Sequence, residues 1–337
     1  MAEGGVYVSA ALAELLRLYL DERRIAAPAV RAELDAYAGA QRMPVETWWS
    51  LLQAIADADP QPAIGLRIGR LAKPHHVGVL GYLAMSCATL GQALIRFQRF
   101  QPLLHNLTPT LATRRGEDFG LSWDPAYGRS TRLSDEVLVS AMLTLARSLT
   151  GHAELVLRAV EFPGPPPDDP AVHAQLLGCP VQFGARTLVV HLPVAALELP
   201  IDSRDPHLMR LLEQQAEALL HVLPQPDALM SGLQRAIVDA LQDGEPAFEQ
   251  IAARLGVPSR SLYRRLQERG LSYKGVLNHM RLRLARTYLA DPTLSLPQIA
   301  LLLGYSEQSA FTRAFKGWCG ETPLHYRRQA LGAAASV

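Results

Sequence analysis

The sequence predicts an α+β N-terminal domain, mainly helical with a small sheet, followed by an all-α C-terminal domain of two helix-turn-helix units joined by a linking helix. Three observations lead there. The chain has 337 residues, 49% apolar and 19% charged, which is length for about two domains and enough apolar content for each to bury its own core. Hydrophobic spacing is helical at first, then includes short β-prone runs, then is helical again to the end. Finally, the pattern Ile-Ala-x-x-Leu-Gly followed by a basic amphipathic segment occurs at 251–256 and again at 299–304.

The elements follow in order. Apolar residues recur at helical spacing in LAELLRLYLDERR (12–24), PAVRAELDAYA (28–38), PVETWWSLLQAIADA (44–58) and ALIRFQRFQPLLHN (93–106). The segments LTPTLATR (107–114), DFGLSW (118–123), ELVLRAVEF (154–162) and TLVVHL (187–192) are β-prone. Between them SDEVLVSAMLTLARSLTGH (134–152) predicts an amphipathic helix closing at Gly151, and FPGPPPDDP (162–170) is too rich in proline for either element. The strands sum to a small, mainly antiparallel sheet flanked by helices. A helix over 205–223 ends at Pro-Gln-Pro (224–226), and ALMSGLQRAIVDALQDG (228–244) predicts another that stops at Gly244. This divides the chain into a first domain, 1–204, a helical linker region, 205–243, and a second domain, 228–330. The helix pair suits a linker, a dimer seam, or both.

The formal charge of +1 conceals a division. Residues 228–337 carry 14 Lys+Arg against 8 Asp+Glu, while the rest of the chain carries a balance of −5. A basic domain beside an acidic one points the C-terminal part towards a polyanion.

The two helix-turn-helix units span about 248–270 and 295–318. In the first, Ile251, Ala252 and Leu255 form an apolar face, Gly256 permits the reversal, and Leu262 and Leu266 face inward on the next helix. Its outward face carries Arg260, Tyr263 and Arg264, flanked by Arg265 and Arg269. In the second, Ile299, Ala300, Leu303 and Gly304 repeat the pattern, and Phe311 and Phe315 replace the leucines after one extra turn residue. Arg313 thereby corresponds to Arg264. Ser295 with Gln298 forms a capping box, and Pro297 falls in the first helical turn, where its missing N–H costs nothing. The connector YKGVLNHMRLRLARTYLA (273–290) predicts a helix of ~27 Å at ~1.5 Å per residue. With the flanking units added, two convex basic helices stand about one DNA turn (~34 Å) apart, within reach of successive major grooves.

These residues resemble the DNA-binding domain of AraC-family transcription regulators. The resemblance rests on R-S-L-x-R-R-L (260–266), A-R-x-Y-L (285–289), I-A-x-x-L-G-Y-S-E-Q-S-A-F-x-R-A-F-K (299–316) and G-x-T-P-x-x-Y-R (320–327). GLRIGRL (65–71) and GVLGYLAMSCATLGQALIRF (78–97) resemble the family's subgroup of ornithine and arginine regulators, whose sensor is labelled arabinose-binding-like. One departure is that Pro258 precedes Ser259, where the subgroup has Ser before Pro.

The resemblance implies base reading by Arg260, Tyr263 and Arg264 in the first unit and by Gln308, Ser309, Thr312 and Arg313 in the second. Arg suits guanine O6/N7 and Gln suits adenine N6/N7. Phosphate contacts are expected from Arg265, Arg269, Lys274, Lys316 and Arg327. The resemblance further implies double-stranded DNA and RNA polymerase as partners, a homodimer, activation, and a small-molecule effector such as an amino acid or another carboxylate. The alternative is a DNA-binding, partner-recruiting protein that senses nothing.

An enzyme ranks third and is not expected, because no reactive constellation is found: there is no P-loop, G-x-S-x-G, H-E-x-x-H or dinucleotide fingerprint. No cofactor or metal is expected. Cys87, Cys179 and Cys319 are odd in number and far apart, against a disulfide framework or a zinc knuckle. No run of ~18 apolar residues occurs, and the start of the chain carries acids where a signal peptide needs bases, so a cytoplasmic protein without a membrane segment is expected. For the effector, Trp48 on an aromatic pocket floor, Arg67 against a ligand carboxylate, and His76 are the candidates. Core packing for Trp48, an ion pair for Arg67 and a loop or hydrogen-bonding role for the His75-His76 pair are the bland alternatives.

Overall fold

The computed structural model describes residues 6–124, 130–223, 228–241, 244, 246–268, 271–291, 293–319 and 321–334. It divides at Gln225 into two compact units.

The first unit opens with strand β1 (Tyr7–Ser9), helix α1 (Leu12–Glu22), helix α2 (Pro28–Asp35), strand β2 (Arg42–Pro44) and helix α3 (Val45–Ala58). β1 and β2 pair as a two-stranded antiparallel ribbon. Short helices α4 (Ile64–Gly69) and α5 (Val79–Met85) and the longer α6 (Leu90–Phe100) follow. Thr89 caps α6, its hydroxyl accepting from the Gln92 amide. Helix α7 (Arg132–Thr150) is closed by Gly151 in the left-handed region, as its sequence predicts.

The small sheet comprises β3 (Thr110–Arg115), β4 (Asp118–Trp123), β5 (Ala159–Pro163), β6 (Val181–Ala185) and β7 (Leu188–Pro193), in the order β3-β4-β7-β5-β6. Among the described residues, β5 and β6 are the one parallel pair of this sheet, and helix α8 (Ala171–Leu177) connects them. β6 and α8 were not expected from the sequence, and β5 is shorter than ELVLRAVEF implies. Leu155 and Leu157 are nevertheless buried with Val156 exposed between them, so the alternation is real but precedes the paired strand. Helix α9 (Pro206–Val222) is capped by Asp205 and packs Ala216 against Leu80, Leu83, Phe100 and Leu104 of this same unit.

The GLRIGRL segment has a physical reason to carry two glycines. A Cβ on Gly65 would lie 2.6 Å from the Glu136 Cβ, and one on Gly69 would lie 2.6 Å from the Val137 carbonyl oxygen, so α4 crosses α7 with its backbone against it. Ser140 fastens the crossing by donating to the Leu66 carbonyl at 2.7 Å. Beside it a buried hydrogen bond joins His173 Nε2 and Glu136 at 2.9 Å, and the other oxygen of Glu136 accepts from the Gly65 amide.

The second unit is all-helical: α10 (Ala228–Leu241), α11 (Phe248–Arg254), α12 (Ser259–Gln267), α13 (Tyr273–Ala290), α14 (Leu296–Leu302), α15 (Gln308–Cys319) and α16 (Pro323–Ala334). It holds two cores. One joins α10, α11 and α12 to the first half of α13 through Val276, Leu277 and Met280. The other joins α14, α15 and Tyr326 of α16 to the second half through Leu282, Ala285 and Leu289. Among the described residues, no helix is long and apolar enough to cross a membrane, and Cys87, Cys179 and Cys319 form no disulfide.

Candidate nucleic-acid interface

The two repeats close their first helices in the same way. At the end of α11 the Val257 amide donates to the Ala252 carbonyl (3.1 Å) and the Gly256 amide to Ala253 (3.0 Å). At the end of α14 the Tyr305 amide donates to Ala300 (2.9 Å) and the Gly304 amide to Leu301 (2.9 Å). This is the Schellman pattern, and it needs a left-handed residue at its centre. Gly256 (φ 65°) and Gly304 (φ 74°) supply that residue. Ala252 and Ala300 therefore do two things: each is small enough for close helix packing, and each offers the carbonyl that closes the turn.

Below the turns Ile251, Ala252, Leu262 and Leu266 are buried in one unit, and Ile299, Ala300, Phe311 and Phe315 in the other. With that face fixed inward, 3.6-residue spacing leaves the opposite face outward. Arg260, Arg265, Gln308, Ser309, Arg313, Lys274 and Lys316 are exposed, and Thr312 is half-buried. Tyr263 is 55% exposed, and the Arg264 side chain is 72% exposed. Gln267 donates to the Tyr263 hydroxyl at 2.8 Å and Glu268 lies 3.5 Å from the Arg264 Nε, so these two side chains are held locally. Ser309 donates to Glu307 at 3.0 Å.

Two expected phosphate contacts differ in placement. Arg269 lies outside the described residues. Arg327 is half-buried, with Nε and Nη2 shielded and unmatched by any acceptor among the described residues. It lies near Asp291, whose carboxyl is held below its usual range chiefly by the Thr293 hydroxyl and amide, with Arg327 adding to the effect.

Helix starts in the two units are capped differently: α14 is the first helix of its unit and α12 the second of its own. α14 has the predicted capping box, in which Ser295 and Gln298 each bond the other's backbone amide. α12 follows Pro258, which lacks a capping side chain. Sequence reasoning missed Arg281. It is buried on α13 at 3% exposure, donates from Nε to the Leu303 carbonyl at 2.9 Å, and stacks over the Tyr305 ring at 4.4 Å. It therefore ties the linking helix to the second turn. Its one sequence signal is position, between the apolar Met280 and Leu282.

Comparisons with known proteins agree with this geometry. Residues 21–201 match the family "Arabinose-binding domain of AraC transcription regulator, N-term", and residues 251–329 match "Helix-turn-helix domain". The ornithine utilization regulator of Pseudomonas aeruginosa is 33% identical over 270 residues, covering 79% of each chain. The chain belongs to the AraC family of transcription regulators. VirS of Mycobacterium tuberculosis, an HTH-type transcriptional regulator, is 30% identical over 308 residues, 89% of this chain and 87% of its own. The solved structure of CdpR from Pseudomonas aeruginosa is similar at 26% identity with a TM-score of 0.48, covering 94% of this chain and 97% of that one. This AraC-family chain is thus a DNA-binding transcription regulator with an N-terminal sensor domain, and its relatives are regulators rather than enzymes.

In the sensor unit a cavity of about 170 Å³ lies among α5, α6 and α7, walled mainly by aliphatic and aromatic side chains. Trp48 is in its wall and donates from its indole to Ser134 at 3.0 Å. Arg67 is not in the wall; its Nε donates to the Pro62 carbonyl at 3.1 Å. His76 is buried outside it and accepts the Lys73 amide on Nδ1 at 3.1 Å. Burial, with His75 and Lys73 nearby, pushes the His76 imidazole down to about 4. Glu14, His75 and His76 bring potential ligand atoms within 4.8 Å of one another. Yet the Nδ1 lone pair of His76 is engaged by Lys73, which leaves the ring proton on Nε2 and no lone pair for a metal.

Proposed function

We propose that this regulator activates transcription as a homodimer. Each chain reads two successive major-groove segments, and a small molecule in the sensor unit governs the response. The observation that supports the reading most is the pair of matching Schellman-closed helix-turn-helix units built on one shared helix, α13, each with its polar face outward. Base edges are assigned to Arg260, Tyr263 and Arg264 of α12 and to Gln308, Ser309, Thr312 and Arg313 of α15. Phosphates are assigned to Arg265, Arg269, Lys274 and Lys316, with Arg327 in a supporting place because of its burial.

Family membership supports activation, contact with RNA polymerase and the dimer as parts of this reading. The sensor signal is relayed through residues 205–243, where the helices on either side of the Pro-Gln-Pro break belong to different units.

Selection of binding sites from random duplexes tests the reading. The expected result is a bipartite motif whose two elements are about one helical turn (~10 base pairs) apart. Enrichment of one short element alone, unaffected by substitutions in α12, would remove the first unit from the interface.

A further inference from the structure

We propose that the sensor cavity takes a small uncharged molecule with a ring-sized apolar body and one or two acceptor oxygens, not an amino acid. The inference rests on the reading of the N-terminal unit as a sensor and names the chemistry of its ligand.

Size sets the first limit. The cavity volume is about 170 Å³, close to the ~150 Å³ of an engineered apolar cavity that stays dry and binds benzene. One ring and a short substituent fill it; a long acyl chain does not fit.

Charge sets the second. The titratable groups in the wall are Arg96, His105 and Asp135. Arg96 is paired with Glu213 at 3.4 Å. Burial pushes His105 down to about 4, so it is neutral at physiological pH. Burial, with Glu136 adding to it, pushes the Asp135 carboxyl up to about 7. None of these leaves a spare cation for a ligand carboxylate, and one buried acid does not offset the desolvation of a zwitterion. The relative named for ornithine utilization does not dictate the ligand of this wall.

Unmatched donors set the third. The Arg96 Nε–H and the Trp123 indole N–H are buried, belong to wall residues, and have no acceptor among the described residues. Buried N–H groups are rarely left so. An oxygen acceptor on the ligand satisfies them, whereas a bare hydrocarbon does not.

Calorimetric titration of the full chain with acetophenone, benzyl alcohol, toluene and ornithine tests this. The expected result is saturable 1:1 binding of acetophenone and benzyl alcohol at least tenfold tighter than toluene, with no heat from ornithine. Ala141→Phe, which fills the cavity, should abolish binding of all three aromatics. Trp123→Phe keeps the ring and removes the donor, so it should leave toluene unchanged and shrink the acetophenone-to-toluene ratio several-fold. Circular dichroism checks that both variants are folded. Ornithine binding in place of the aromatics overturns the ligand class. Equal affinity for toluene and acetophenone overturns the role of the donors, and absence of any aromatic binding overturns the whole inference. Retention of sequence-specific DNA binding in that last case leaves the regulator reading standing. Its loss while aromatics still bind would count against that reading alone.

Discussion

Placing alanine at the two turn glycines should cost unequal amounts, although the turns share one hydrogen-bond pattern. Both glycines have positive φ, 65° at Gly256 and 74° at Gly304, so an L side chain costs about 1–2 kcal/mol at either. Their surroundings differ. A Cβ at Gly256 meets nothing within 4 Å, whereas one at Gly304 lies 2.9 Å from the Gly244 carbonyl carbon and 3.2 Å from the Leu241 Cδ2 and collides with the Gly244 oxygen. Because the obstacle is backbone, the unit must shift, which adds about 1–3 kcal/mol. Gly256→Ala is therefore expected to cost about 1–2 kcal/mol, and Gly304→Ala about 2–5 kcal/mol. Calorimetry of the full chain, with hydrogen exchange over 248–267 and 296–319 to assign the unfolding unit, measures both. Equal losses would refute the close approach of Gly304 to the end of α10. In hydroxyl-radical footprints, Gly304→Val should shorten the protected tract to the element read by α12.

Four other outcomes follow from named contacts. Arg313→Ala should lower discrimination at one base pair by about 1–3 kcal/mol; a uniform loss on all sequences would make it a phosphate contact. Lys316→Ala should weaken specific and random DNA alike and reduce the log–log salt slope by about 0.9. Arg281→Met leaves the Leu303 carbonyl without its donor, costing about 1–3 kcal/mol, and should raise hydrogen exchange in α14 and α15 before α11 and α12. Asp135 has a folded value raised to about 7 from 3.8, so the native state holds a proton that the unfolded chain releases. Its contribution is therefore favourable at low pH and falls by ~1.4 kcal/mol per unit between about pH 4 and 7. Asp135→Asn should flatten that dependence and be the more stable protein at pH 8 by up to about 4 kcal/mol, read as the difference between denaturant curves at pH 5 and 8.

The readable parts of this chain are those whose causes are local. The Schellman turns, the Ser295–Gln298 box and the stop at Gly151 each depend on a few consecutive residues, and the repeated Ile-Ala-x-x-Leu-Gly shows its own register. The parts that were not legible depend on distant partners. Three-residue strands at 7–9 and 42–44 have too few positions to show a period, and they exist because they find each other. β6 follows the short helix α8 and is a strand because β5 lies beside it. Arg281 reads as a solvated charge, since nothing near it in sequence announces the Leu303 carbonyl and the Tyr305 ring. The sensor cavity is legible only in part: Trp48 is an aromatic on a helix, but its neighbours come from segments as far apart as Val8 and Leu149.

Helix α13 gives its buried side chains Val276, Leu277 and Met280 to one core and Leu282, Ala285 and Leu289 to the other, with half-buried Leu284 packed against both. Its length is accordingly a ruler. Adding one residue to it would advance one reading helix by ~1.5 Å and rotate it by about 100° relative to the other, which turns a reader away from the bases instead of moving it to the next one. If both units read DNA as proposed, the interval between the two halves of a binding site is inherited with this single rod, and drift in that interval is confined to insertions or deletions close to whole turns.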